Sequence, residues 1–287
     1  MIARPVPDVA LLLTFDLAPG ADPREGLRAL REEKSDDRVV GVGEPLVRAL
    51  GANVDGLRSF PVITGSGISF PATQHALMVW IGAENQGAAL DGGFALVKML
   101  GVAFRMTEEM PLFRYREGRD LTGYEDGTEN PKGEAARVAS VVAKGSPGIE
   151  GGSFVAIQKY RHDLGAFVAL DVNARDAIIG RSHATNEELS DAPVTAHVKR
   201  SAQESFEPPA FMLRRSMPWG TLREHGLYFV SFVAELDRFE RVLRRMAGLD
   251  DGKVDALLGV TTALTGGYYF CPPLDAGGAL DLRALGL

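Results

Sequence analysis

Apolar runs and apolar stripes alternate along the chain, and their lengths divide it into strands and helices. Val9 to Leu17 is an apolar run with aromatic and branched side chains, long enough for a buried strand and too short for a helix. Pro19-Gly20 signals a turn, and Asp22, Pro23 and Glu25 form an N-terminal signature that predicts a short helix to about Arg31 with Asp22 as its cap. Residues 33–65, rich in Gly, Asp and Val, predict short strands and loops. Ala76 to Ile81 is a further apolar run, and Gly87 to Met99 predicts a helix with Leu90, Phe94 and Val97 at helical spacing. Val102 to Arg116 is expected to be extended, then loop.

The pattern turns polar and glycine-rich from Gly118 to Gly152, the best candidate for a connection between domains. A second set of elements follows: a strand over Ser153 to Tyr160, a helix capped by Asp163 to about Leu170, and another capped by Asp171 to Ile179. Gly226 to Val233 predicts a strand, and Glu235 to Met246 a helix with Leu236, Phe239, Leu243 and Met246 on one stripe. Strand, helix, strands, helix in each half suggests a duplicated α+β unit, with antiparallel sheets covered by helices. No Gly-rich phosphate turn follows the first strand, and GVGEP at 41–45 lacks the GxGxxG spacing, which argues against a dinucleotide site.

Composition narrows the classes further. The chain has 287 residues with 45% hydrophobic and 24% charged, values of an ordinary globular protein. Its formal net charge of −7 is the wrong sign for a phosphate backbone, so nucleic acid is not an expected partner. One cysteine, Cys271, excludes an internal disulfide and a CxxC site. Pro5, Pro7 and Asp8 break the opening apolar run before it resembles a signal segment, and no apolar run is long enough to span a membrane; a cytoplasmic location is expected.

Five histidines, His75, His162, His183, His197 and His225, lack zinc-site spacing. His197 in TAHVKR reads either as an ordinary half-buried histidine or as a single axial ligand to iron. Asp126 in GYEDGTENP reads either as part of a solvated Asp-Gly turn or as a carboxylate held over a planar ligand, with Gly123 and Gly127 letting the backbone approach closely. The second reading needs a cation, which Arg214 or Arg215 could supply.

These segments resemble the dye-decolorizing peroxidase family, and within it the bacterial cytoplasmic, porphyrinogen-peroxidase-like branch. The resemblance lies in GYEDGTENP at 123–131, GGSFVAIQKYRHDL at 151–164, IIGRSHATNEEL at 178–189, AHVKR at 196–200, LRRSMPWG at 213–220 and TGGYYFCPP at 265–273. It covers nearly all of the chain from about residue 120, while the earlier part matches mainly in element order. It implies two ferredoxin-like domains, 1–122 and 153–287, linked by a loop over 123–152 that carries the GxxDG motif, with haem b held mainly by the second. It also implies that Asp126 and Arg214 are the distal catalytic pair, that His197 is the haem iron ligand, and that Arg181, Arg214 and Ser216 lie against the cofactor. The family's proximal histidine has an acidic partner, for which Asp251 and Asp255 are both candidates.

The implied reaction is two-electron reduction of hydrogen peroxide, followed by one-electron withdrawals from small organic donors such as dyes, phenols or porphyrinogens. Tyr160, Tyr228, Trp80 and Trp219 could relay electrons to the surface or could simply be packing. The alternatives are a non-catalytic haem or porphyrin carrier and a protein that releases iron from haem. A homo-oligomer, dimer or tetramer, is expected. No extended tail follows CPPLDAGGALDLRALGL, so packaging in a nanocompartment is not expected.

Overall fold

The computed structural model describes residues 2, 4–34 and 37–287; Ser35 and Asp36, in the stretch 33–65, lie outside the described residues. The first half contains strands β1 (Val9–Leu17), β2 (Arg38–Gly43), β3 (Ile63–Gly65), β4 (Ile68–Phe70), β5 (Leu77–Ala83) and β6 (Phe104–Phe113). Its helices are α1 (Arg24–Glu32), α2 (Glu44–Ala49) and α3 (Gln86–Leu100). After α4 (Gly133–Ser140) come β7 (Ser153–His162), α5 (Leu164–Ala169), α6 (Val172–Ile179) and α7 (His197–Arg200). Strands β8 (Leu213–Arg214), β9 (Met217–Gly220) and β10 (His225–Val233), helix α8 (Leu236–Met246), and strands β11 (Thr261–Ala263) and β12 (Gly267–Cys271) complete the second half.

Ten strands form one antiparallel sheet in the order β6-β1-β5-β2-β12-β7-β10-β8, with β9 on β10 and β11 on β7. Each half repeats the ferredoxin-like order of fourth, first, third and second strand: β6-β1-β5-β2, then β12-β7-β10-β8. This is the expected α+β duplication. The halves join where β12 pairs with β2, Tyr269 opposite Gly43 and Phe270 opposite Val42. Alternation along the strands then separates two cores. Leu11, Leu13, Phe15 and Ala156 face the helices, and Leu12, Trp80, Val155 and Tyr228 fill the other face, which the sheet encloses by bringing β6 close to β9.

Local chemistry explains most elements. Asp163 and Asp171 cap α5 and α6 by accepting from Ala166 N and Ala174 N, and the predicted stripe of α8 is buried. Other features depart from the pattern. Pro23 rather than Asp22 stands at the α1 cap position, and Asp22 accepts from Arg24 N just outside it. Helix α2 lies within the stretch read as strands and loops; six residues are too few for a helical period to show, although Pro45 sits in its first turn. Helix α3 turns Ala89, Gly93, Leu96 and Leu100 inward and leaves Phe94 71% exposed, with Leu90 and Val97 also outside. The small residues let α3 approach the sheet closely: a Cβ on Gly93 would come within 2.9 Å of Leu11.

A candidate active site beside the second half of the sheet

A cavity opens between β7, β10, α7 and α8. Met212, Leu243, Met246 and Leu257 contribute apolar walls, and His197, Asp126 and Arg214 line it as well. Two adjoining cavities share Asp126 and Arg214: one carries Ser216 and Arg119, the other Arg181 and Glu129. Asp126 and Arg214 are therefore the common wall of all three, and His197 borders two of them.

His197 is the first residue of α7, and its ring is oriented from behind. Its Nδ1 lies 2.7 Å from Oδ2 of Asp255, whose side chain is fully buried. Oδ1 of Asp255 accepts from Leu257 N at 2.9 Å, and the main chain around it is tied to both neighbours, Asp255 N to Met246 O and Ala256 N to Thr195 O. A carboxylate only accepts, so Nδ1 carries the ring proton. Nε2 has no hydrogen-bond partner among the described residues. Of the two carboxylates the sequence offers, Asp255 is the histidine's partner. Asp251 instead takes the Arg200 guanidinium at 2.7 and 2.8 Å, and that hydrogen bond holds its carboxyl down to about 2. Among the described residues, no three His, Cys, Asp or Glu side chains converge on a metal site.

The Asp126 loop is built against Arg214. Arg214 Nη1 stands 3.8 Å from Asp126 Oδ1, both side chains being mostly buried. Asn130, from the same GYEDGTENP block, clamps the Arg214 main chain through both atoms of its amide: Nδ2 donates to Arg214 O at 3.0 Å and Oδ1 accepts from Arg214 N at 2.8 Å. The sequence reading missed Asn130, although its place in the motif four residues after Asp126 was the available signal. The guanidinium Nε of Arg214 is buried without a partner. Arg215 turns the other way, to the Ile2 carbonyl, which leaves Arg214 as the cation of the cavity.

Gly123 and Gly127 have φ of 90° and 76°, and the space a Cβ would take is filled by the His183 ring at 2.9 Å and the Asn130 amide at 2.8 Å. Their conformation serves the loop's own packing. Gly127 also lines the two adjoining cavities. Arg181 ion-pairs with Glu129 and donates to Asn186 O at 2.9 Å. Ser216 lies in the adjoining cavity and its Oγ accepts from Val230 N at 3.4 Å. Tyr160, Tyr228, Trp80 and Trp219 are all buried, and of these only Tyr160 lines the His197 cavity.

The family profile described as Dyp-type peroxidase, C-terminal, matches residues 117–276. A dye-decolorizing peroxidase of Mycolicibacterium paratuberculosis (strain ATCC BAA-968 / K-10) is 31% identical over 288 residues, covering 93% of this chain and 80% of that protein. Among solved structures, a dye-decolorizing protein from V. cholerae superposes with a TM-score of 0.88 at 26% identity, covering 99% of this chain and 98% of that one. A DypB variant from Rhodococcus jostii RHA1 in complex with heme gives 0.87 at 29% identity, with 98% and 97% covered.

Proposed function

The chain belongs to the dye-decolorizing peroxidase family, and from that premise we propose that it is a haem b peroxidase of the bacterial cytoplasmic, porphyrinogen-peroxidase-like branch. It reduces hydrogen peroxide and oxidises dyes, phenols or porphyrinogens in one-electron steps. The observation that carries this reading is the His197–Asp255 dyad, whose free Nε2 shares a cavity with the Asp126–Arg214 pair.

The residues fit the cofactor. A neutral imidazole with its distant nitrogen held by a carboxylate is a strong iron ligand. The walls are apolar, and the buried Nε of Arg214 lacks a partner that a bound group would provide. His197 would hold the iron, and Arg181 would reach a propionate after loosening its hold on Glu129. Bound haem supplies the electron exchange of peroxide reduction. Asp126 takes a proton from hydrogen peroxide and returns it to the oxygen that departs, so that oxygen leaves as water. Arg214 holds a permanent positive charge beside the departing oxygen while its negative charge develops. Ser216 supports β10 beside this pair through Val230 N. Domains over 1–122 and 153–287, linked through 123–152, and assembly as a homodimer or tetramer complete the proposal. Among the described residues no helix is long and apolar enough to cross a membrane.

The test is the absorbance spectrum and peroxide turnover of the purified protein beside His197→Ala. The wild type should show a haem Soret band and consume peroxide with a dye donor; the variant should lose the band and the activity. An unchanged spectrum and unchanged turnover in His197→Ala would overturn the assignment.

A further inference from the structure

His162, the last residue of β7, lines the same cavity as His197 and is nearly buried. Unlike His197, it has both ring nitrogens engaged. Nε2 lies 3.1 Å from Asp120 Oδ1, and Nδ1 lies 2.8 Å from Thr261 Oγ1. It is therefore no candidate ligand, and the chemistry assigned above makes no use of it.

Each of its partners leads to one side of the cavity. Asp120 is the hub of the turn that precedes Asp126. Its Oδ2 accepts from Thr122 N at 2.9 Å and from Thr122 Oγ1 at 2.5 Å. Its main chain closes the turn, Asp120 N donating to Tyr124 O and Gly123 N to Asp120 O, both at 2.9 Å. Burial works to raise the Asp120 carboxyl, but the His162 and Thr122 hydrogen bonds outweigh it and hold the group below its ordinary value, so it stays an acceptor. Thr261 opens β11, one residue beyond the single turn Ala256–Gly259 that Asp255 caps. Its hydroxyl also reaches Arg161 O at 3.2 Å, which fixes it to β7.

Resting on the peroxidase reading, we propose that His162 and Asp120 are a positioning pair that straps the loop carrying Asp126 to the segment carrying Asp255. Among the described residues His162 is the one side chain that hydrogen-bonds both Asp120 and Thr261, so it sets where the carboxylate of Asp126 stands relative to the ring that Asp255 orients. The effect on peroxide chemistry passes through Asp126; His162 itself touches neither proton.

Two measurements on the holoprotein test this. Amide hydrogen exchange is followed by mass spectrometry over residues 118–128 in wild type, His162→Leu, His162→Gln and Asp120→Asn. The rate of the first absorbance change after mixing with peroxide is followed in the same proteins, and His162→Leu is also made in an Asp126→Asn background. Losing a hydrogen bond to a charged partner should speed exchange over 120–126 by about tenfold or more in His162→Leu and Asp120→Asn. His162→Gln, whose amide N–H can still donate to Asp120, should recover most of the protection. The peroxide reaction should slow by about tenfold in His162→Leu with donor KM unchanged, and the same substitution should cost almost nothing once Asp126 is Asn, since residues acting through one another are not additive. Unchanged exchange in both His162→Leu and Asp120→Asn, or an equal slowing in the Asp126→Asn background, would overturn the proposal. Should His162→Leu fail to fold, the near-isosteric Asp120→Asn carries both arms. Exchange is read without peroxide, so a wild type that failed to reduce peroxide would defeat the functional reading while leaving the strap measurable.

Discussion

Asp255→Asn perturbs the His197 side of the cavity with almost no change of shape. The native carboxylate accepts two N–H groups at once, from His197 Nδ1 at 2.7 Å and Leu257 at 2.9 Å. An amide has only one acceptor. If its oxygen turns to Leu257, its NH₂ faces Nδ1, which must then accept, and the ring proton moves to Nε2, the nitrogen an iron needs. If its oxygen turns to His197, two donors face each other at a position with no exposure to water. Either arrangement loses a hydrogen bond to a charged group, worth about 1.5–3 kcal/mol, or about 10- to 150-fold in an equilibrium constant. Removing the hydrogen-bond partner of a ligating histidine typically costs about 10- to 100-fold in affinity or activity, so the two routes agree. Haem titrated into the apoprotein of Asp255→Asn, followed by the Soret band, should bind about 10- to 100-fold more weakly than to wild type. Asp251→Asn, away from the ring, should leave affinity unchanged. Wild-type affinity in Asp255→Asn would refute the role given to this hydrogen bond.

Arg214→Leu should slow the reaction with peroxide more than Asp126→Asn, each within the range of about 10²- to 10⁴-fold for one distal group, because a proton can also travel through an ordered water whereas a fixed cation has no substitute. Stopped-flow absorbance measures both, and a larger loss at Asp126 would reverse the two roles. Arg181→Ala should release haem to an acceptor protein faster by about tenfold, the value of one charge-assisted contact; an unchanged transfer rate would place Arg181 away from the propionates. The Asp251 carboxyl is held down to about 2 from an ordinary 3.8, first by its hydrogen bond with Arg200. A lowered folded-state value contributes stability that is present above the unfolded value and is lost as pH falls through the folded one. Asp251→Asn should therefore lower the melting temperature at neutral pH, and the gap from wild type should close as pH drops from near 3.8 toward 2. A gap that persists at pH 2 would refute the linkage.

Features set within a few residues were legible from the chain, and features set by long-range packing were not. Asp163 and Asp171 cap their helices through bonds three residues away, and α8 has a stripe that any facing surface would bury. The outward stripe of α3 shows the limit: Phe94 is the most apolar residue of its turn, yet Gly93 faces the sheet because that interface leaves no room for a side chain. Similarly, α4 lies inside the glycine-rich stretch read as a connection, and there only Ala139 and Ser140 are buried. In the site, the resemblance to the family points to His197, Asp126 and Arg214, and the structure brings all three to one cavity. Choosing between Asp251 and Asp255 was beyond sequence, since the two differ in which side chain across the fold meets them, Arg200 or His197. His162 and Asp120 were similarly hidden, being 42 residues apart and joined only by the fold.

The state of Arg214 separates an enzyme from a carrier of the same cofactor. A carrier needs the His197 ligand and apolar walls; the pairing of a cation with the Asp126 carboxylate is what the proposed peroxide step adds. Here Arg214 is mostly buried, its Nε has no partner, and its nearest carboxylate, Asp126, stands at 3.8 Å, beyond hydrogen-bond distance. A buried donor left unsatisfied costs about 1–3 kcal/mol. Were stability the purpose, Arg214 would be better closed onto Asp126 or replaced by an apolar residue of similar volume. Asn130 instead fixes the Arg214 main chain on both sides, which keeps the open pair in place. Donors held open at the meeting point of three cavities suit the role proposed for Arg214, holding a departing oxygen that carries negative charge.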